Sequence, residues 1–200
     1  MKLPDWIHKI LRREPAKTIL PLMSVKETFL EFLNKPCVDN FLAVRQKMAE
    51  SDRYLPYSNE PIELAFILSS GDPQAAIECF WRTFPSLLLS PSAHLTLSKA
   101  YNSMGKENEA AFEKALSFQL IKSILATGKG TKKRPYAVMR ISDEMDVLSA
   151  LRKQAGPQFL LMGNNRVLDL LQCSDGSEVY FDITLMFGRG RKRDSSAVAE

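Results

Sequence analysis

Apolar residues recur at helical spacing through the first two thirds of the chain. The predicted helices cover 25–33, 38–48, 61–70, 72–84, 92–104 and 106–126. Gly71 and Gly105 each lie between two of these helices, and a glycine can end a helix by adopting the left-handed conformation. The pattern therefore predicts two helical hairpins with two further helices before them.

The two hairpins repeat at a fixed spacing. Gly71 and Gly105 are 34 residues apart, which is the period of the tetratricopeptide repeat. Each glycine is followed five residues later by an alanine, Ala76 or Ala110, and a small side chain there lets paired helices approach closely. The hairpins resemble degenerate tetratricopeptide repeats.

That resemblance implies stacked hairpins whose concave face binds a protein or peptide partner. His94 and Tyr101 lie on the first helix of the second hairpin and are the candidate partner-contact residues. His94 occupies the position where the repeat usually has a tryptophan, so packing inside the hairpin is its other interpretation.

After Gly128 the periodicity changes and predicts a small α+β region. A strand is predicted over 136–141, and a helix follows it, with acids in its first turn and Met145, Leu148 and Leu151 on its apolar face. The last three predicted strands cover 159–162, 166–173 and 178–185. The predicted fold class is α+β: tetratricopeptide-like helical hairpins followed by a small antiparallel β-sheet with one helix, in the order β-α-β-β-β.

Several short motifs of this region, together with one before the first hairpin, resemble an uncharacterised bacterial family known only as domain of unknown function 4919. They are Tyr54-Leu-Pro-Tyr57, Gly128-Lys-Gly-Thr131, Ile141-Ser-Asp-Glu-Met-Asp-Val-Leu148, Asp169, and Tyr180-Phe-Asp-Ile183. Members of that family have tetratricopeptide-like helices upstream of such a region. The resemblance covers roughly residues 50–188 and implies this architecture, but it implies no activity.

The charge of the chain is concentrated at its ends. The formal net charge is +4, of which residues 1–17 carry +3 and residues 189–200 carry +2, so the body is at −1. We therefore divide the chain into an N-terminal amphipathic segment (1–23), a helical region (24–127), an α+β region (128–188) and a basic flexible tail (189–200). Four cations in the tail suffice only for weak contact with an anionic polymer such as nucleic acid.

The sequence favours a cytoplasmic location. It has neither the apolar core of a secretory signal nor an apolar run near the roughly 20 residues that span a bilayer. Cys37, Cys79 and Cys173 are widely spaced and odd in number, which favours free thiols in a reducing compartment.

Catalytic signatures are weak. His8 and His94 are the only histidines, neither lies in a known catalytic or zinc-binding motif, and the glycines of 128–131 lack the spacing of a phosphate-binding loop. We expect no catalytic residue, no metal and no cofactor.

The remaining candidates are polar residues of the α+β region. They are Asp143, Glu144, Asp169, Tyr180 and Asp182. Exposed acids and helix caps are their default interpretation, and Asp182 and Tyr180 should share the outward face of their strand. Our leading hypothesis is a non-enzymatic interaction protein. A ligand-binding or enzymatic site at these carboxylates is the alternative, and nucleic-acid binding through the basic ends is the third.

Overall fold

The computed structural model of the chain describes residues 19–163 and 165–188. Within them, six helices come first: α1 (Ile19–Asn34), α2 (Val38–Glu50), α3 (Glu60–Ser69), α4 (Pro73–Arg82), α5 (Pro91–Ser103) and α6 (Glu107–Ala126). They are followed by β1 (Tyr136–Ala137), α7 (Ile141–Ala150), β2 (Ala155–Met162), β3 (Val167–Cys173) and β4 (Glu178–Asp182). The fold class is α+β, as predicted. The basic tail and most of the N-terminal amphipathic segment lie outside the described residues.

The helix pairs begin and end where the sequence predicts. Gly71 ends the α3–α4 turn with a φ of 89° and Gly105 ends the α5–α6 turn with a φ of 70°, values that favour glycine. Asp72 caps α4, because its side chain accepts a hydrogen bond from the Ala75 N–H at 2.8 Å. The predicted bounds of these four helices agree with the structure to within two residues.

The core consists of two clusters of buried side chains. One lies inside the hairpins and includes Leu64, Phe80 and Leu97. The other joins α1, α2 and α6 to the sheet and α7, with Phe32 and Phe181 among its fully buried members. The first helices and the sheet therefore share one core.

The predicted antiparallel sheet is wrong in one respect, because the sheet is mixed. Its strand order is β1-β4-β3-β2, with β1 parallel to β4 and the other two pairs antiparallel. The chain runs from β1 through α7 and then through β2 and β3, so β4 returns beside β1 in the same direction.

The strand bounds also differ from the prediction. Strand β1 has two residues instead of six, because the carbonyl groups of Val138 and Met139 bind side chains of the helical region. Strand β2 begins at Ala155, four residues before the predicted start at residue 159. Strand β4 ends at Asp182, and residues 184–188 are helical.

Helix α7 buries a different face from the predicted one. Met145, which was predicted to face the core, is 39% exposed. Leu148 is buried as predicted, and Asp143, Glu144 and Val147 are buried with it. The acids of the first turn, expected at the surface, therefore point into the protein.

Among the residues described, no helix is long and apolar enough to cross a membrane.

Candidate functional site

Asp143 anchors the first turn of α7. Its Oδ2 atom accepts hydrogen bonds from the backbone N–H groups of Met139 and Arg140, both at 3.0 Å. The side chain is buried, and its Oδ1 atom has no hydrogen-bond partner among the described residues. Burial, and next the charge of Asp146, raise the pKa of Asp143 to about 7.

Glu144 lies beside Asp143 and is completely buried. In the described part of the chain neither of its carboxyl oxygens has a hydrogen-bond partner. Burial raises its pKa to about 9, and the charges of Asp169 and Asp143 act in the same direction. Glu144 therefore holds a proton at neutral pH.

Asp169 on β3 lies close to Glu144. Gln158 on the neighbouring strand β2 donates a hydrogen bond to its Oδ2 atom, and burial raises the pKa of Asp169. Asp143, Glu144 and Asp169 together are called the acid cluster below. Tyr57 lies beside it, since burial and then the charges of Asp169 and Glu144 raise the pKa of this half-exposed tyrosine.

Arg140 connects the start of α7 to the segment before α3. Its guanidinium donates to the Leu55 carbonyl at 2.8 Å and to the Ser86 hydroxyl at 2.9 Å. It also binds Ser58 and forms a 3.1 Å ion pair with Glu60. The side chain is 2% exposed, so Arg140 is a buried cation. Its N–H groups bind the segment before α3 and, through Ser86, the segment after α4.

Arg45 and Tyr54 bind the backbone that precedes α7. Arg45 on α2 donates to the Val138 carbonyl at 3.0 Å and to the Asp182 carbonyl at 3.0 Å. The Tyr54 hydroxyl donates to the Met139 carbonyl. The backbone between β1 and α7 is thus bound by side chains of the helical region.

A cleft of about 470 Å³ opens between the two segments that Arg140 connects. One wall comes from the segment before α3 and the start of that helix, and the other from the first turns of α7. The lining residues are Pro56, Tyr57, Ser58, Asn59, Pro61 and Ile62, then Arg140, Ile141, Ser142, Met145 and Asp146. The lining is mainly apolar, and Ile62 is 71% exposed and Tyr57 53%.

Two polar residues of the cleft lining, Ser142 and Asp146, lie on α7. The Ser142 hydroxyl has no hydrogen-bond partner among residues that the structure describes. The Asp146 carboxylate accepts a hydrogen bond from the Ser92 N–H at 3.0 Å, and burial raises its pKa. The cleft therefore offers the Asp146 carboxylate beside apolar walls, whereas the Ser142 hydroxyl is buried.

The structure brings together only some of the predicted polar residues. Asp143, Glu144 and Asp169 meet in the acid cluster, but they do not line the cleft. Asp182 and Tyr180 are half-buried, as the strand alternation indicates, and lie apart from the cluster. Asp182 pairs with Arg166 at 3.2 Å, and the Tyr180 hydroxyl donates to Glu178 at 2.7 Å.

His94 and Tyr101 are both buried, so a surface that a partner could touch lies elsewhere on these helices. The Nδ1 atom of His94 is 2.5 Å from a carboxyl oxygen of Glu113, and its Nε2 atom is 2.9 Å from the Leu88 carbonyl. Glu113 is fully buried, and burial raises its pKa although His94 opposes the shift. The pair links α5 to α6 inside the hairpin.

Other possible ligand sites are limited. No group of three or more histidine, cysteine or acidic side chains in the described ranges could hold a metal ion. Cys37, Cys79 and Cys173 are free thiols, and the last two are buried.

Sequence reasoning missed Arg140, Arg45 and Glu113. Arg140 appeared only as one residue of a predicted strand, although an arginine just before a helix with acids in its first turn was a usable signal. Arg45 and Glu113 lie within ordinary amphipathic helices, and their partners are distant in the sequence. No local pattern marks such pairs.

The chain matches no family model, no curated protein and no solved structure.

Proposed function

We propose that this chain is a non-enzymatic, cytoplasmic interaction protein whose cleft binds an apolar segment of a protein or peptide partner. The observation that carries the proposal is the exposure of Tyr57, Ile62 and Met145 around one cavity. Large apolar side chains gathered at an open cavity are typical of binding sites. The free cysteines support the cytoplasmic location.

The size and stiffness of the cleft support a short segment as the occupant. A volume of about 470 Å³ lies within the range of roughly 300–1,000 Å³ that binding pockets have. Arg140 already ties the two walls together through hydrogen bonds to the Leu55 carbonyl and the Ser58 hydroxyl. A cleft whose walls are held in place before binding loses little conformational entropy when a partner enters.

The polar groups indicate how the segment would be oriented. The Asp146 carboxylate lines the cleft and can accept a hydrogen bond from a partner. A main-chain N–H group of the partner suits Asp146, while apolar side chains of the partner contact Ile62 and Met145.

We further propose that the hairpins are tetratricopeptide-like and that the chain is related to the uncharacterised family whose motifs it resembles. The support for the hairpins is the positive φ of Gly71 and Gly105, together with the burial of Ala76 and Ala110. The support for the family is the clustering of Asp143, Glu144 and Asp169. The first two belong to the motif at 141–148, and Asp169 is a shared position by itself.

A ligand-binding or enzymatic site at the carboxylates is the second candidate. The unpartnered oxygens of Glu144 favour it. Its weakness is that Asp146 is the acid that lines the cleft, while the acid cluster is buried behind α7. Nucleic-acid binding, the third candidate, depends on basic ends outside the described residues.

Selection of peptides from a displayed random library against the full chain tests the proposed function. We expect enrichment of peptides with several large apolar residues. Their affinity should fall at least about tenfold in Ile62→Lys, because a lysine places a charge against the apolar wall. The matched control is Phe118→Lys, which changes another exposed apolar side chain, on α6 and outside the cleft.

Two results would contradict the proposal. One is a selection that enriches no peptide. The other is a set of peptides whose binding is weakened by Phe118→Lys and unchanged by Ile62→Lys.

A further inference from the structure

Strand β2 is an edge strand that is exposed along almost its whole length. It pairs only with β3 in the four-stranded sheet. Both faces of the strand are open, and Phe159, Leu160 and Met162 are 43%, 51% and 59% exposed. No described residue covers its outer edge.

The outer edge carries an unbroken row of backbone hydrogen-bonding groups. The Ile183 N–H donates to the Val167 carbonyl and the Cys173 N–H donates to Ser177, so the odd-numbered residues of β3 bond towards β4. Because antiparallel bonding alternates, Leu168 and Leu170 bond towards β2, where they pair with Leu161 and Phe159. The N–H and C=O groups of Gln158, Leu160 and Met162 therefore point away from the sheet.

The one proline of the strand does not interrupt this row. Pro157 has no N–H, but it lies in the irregular part of the β2–β3 pairing between Ala155 and Gln158. The three outward residues that follow it all have N–H groups. The edge can accept another strand over its apolar half.

Edge strands of soluble proteins are usually protected against pairing by charges, prolines or a covering segment. From Gln154 to Asn165 this chain has no charged side chain. A second copy of the same strand therefore meets no like charge, and the large apolar side chains on both faces gain contacts with their counterparts.

We propose that β2 pairs with β2 of a second copy of this chain, so that two four-stranded sheets form one continuous sheet across a two-fold axis. In an antiparallel arrangement with Leu160 opposite Leu160 of the second copy, Gln158 of each copy lies opposite Met162 of the other. These are three hydrogen-bonded pairs, each of which exchanges two bonds. The contact is symmetric, as expected for a homodimer.

Amide hydrogen exchange by NMR, combined with sedimentation of the full chain over a range of concentrations, tests this proposal. We expect a dimer whose Leu160 and Met162 N–H groups exchange more slowly as the concentration rises. The Leu161 N–H should be protected at every concentration, since it bonds to β3. The variant with both Leu160→Lys and Met162→Lys should dissociate at least about tenfold more readily, and Phe118→Lys should dimerise as the unchanged chain does.

Three outcomes would overturn the proposal. The first is a monomer at all concentrations with rapid exchange at Leu160 and Met162. The second is a monomer in which both groups are protected, which would mean that a segment of the same chain covers the edge. The third is a dimer that the double lysine variant leaves intact, which would place the contact on another surface. The exchange of the unchanged chain decides the question even if that variant does not fold.

Discussion

The two faces of the ten-residue helix α7 differ in exposure, because one lines the cleft and the other is buried. The face towards the cleft carries Ser142, Met145 and Asp146, which are partly or largely exposed. The face towards the sheet carries Asp143 and Glu144, which are both buried, and Glu144 lies next to Asp169. Acidic side chains are normally found at the surface, so the burial of these two acids, while Met145 is exposed, is unusual.

This comparison separates structural acids from a binding surface. Burial raises the pKa of Glu144 to about 9, so this side chain is protonated at neutral pH. A protonated, buried acid offers no negative charge to a partner. The cleft face has exposed apolar surface and the Asp146 carboxylate instead. Asp143 and Glu144 lie on the buried face of α7, and a partner can reach only the opposite face of the helix.

The largest expected effect is the loss of Arg140, which joins the two walls of the cleft. Arg140→Met keeps the bulk of the stem but removes the cation that pairs with Glu60 and the donor to the Leu55 carbonyl and the Ser86 hydroxyl. Removing one member of a buried ion pair costs about 3–5 kcal/mol, so the free energy of unfolding should fall by that amount in urea denaturation. The control is Arg166→Met, because the half-exposed Arg166–Asp182 pair should contribute less than about 1 kcal/mol. Equal losses in the two variants would contradict the account.

Asp143 should matter as a hydrogen-bond acceptor and not as a charge. Asp143→Ala removes the acceptor of two backbone N–H groups at the start of α7 and should cost about 1–2 kcal/mol. Asp143→Asn keeps an acceptor there, so its unfolding free energy at pH 7 should stay closer to that of the unchanged chain. Thermal unfolding of both variants measures the difference, and a larger loss in Asp143→Asn than in Asp143→Ala would contradict this assignment.

Glu144 should make stability depend on pH. Its pKa is about 9 in the folded chain and near 4.3 in an unfolded one, so between these values folding retains a proton that the unfolded chain releases. The free energy of unfolding therefore falls as the pH rises, by up to about 1.4 kcal/mol per pH unit. Glu144→Gln removes this contribution and should show a shallower fall between pH 7 and 9, measured by urea denaturation at each pH.

A second variant checks the origin of that slope. The charge of Asp169 helps to raise the pKa of Glu144, so Asp169→Asn should also make the fall shallower, though by less than Glu144→Gln. The pKa of Asp143 is about 7, so most of its own contribution should lie below this range. An unchanged slope in Glu144→Gln would mean that Glu144 is ionised in the folded chain.

The smallest effect on stability is expected on the cleft face. Met145→Gln replaces a partly exposed side chain with another good helix former, and the unfolding free energy should change by less than about 0.5 kcal/mol. Urea denaturation checks this value. A loss of about 2 kcal/mol or more would show that Met145 belongs to the core.

The helices were predictable because glycine, proline and aspartate mark their ends locally. Gly71 and Gly105 have the positive φ that a helix-ending glycine adopts, and Pro73 and Pro91 open the helices that contain them. The extent of the strands was not predictable in this way. Strand β2 continues through Pro157 because β3 pairs with it, and this pairing joins residues distant in the sequence.

The site was predictable in its residues and not in their environment. The acids of the first turn of α7 and Asp169 were identified as candidates, but surface exposure was their default interpretation because acidic side chains are mostly exposed. The side chains that reverse this choice come from elsewhere in the chain. Arg45 and Tyr54 bind the backbone before α7 and so set which face of the helix turns inward.

The most direct measurement compares the two faces of α7 in one binding titration with a library-selected peptide. Calorimetry at pH 7 would measure its affinity for the unchanged chain, for Met145→Lys and for Glu144→Gln. We predict that Met145→Lys weakens binding at least about tenfold and that Glu144→Gln leaves it within about twofold, because Glu144 is already neutral and lies behind the helix. Binding that survives Met145→Lys and is lost in Glu144→Gln would contradict the account and place the site at the acid cluster.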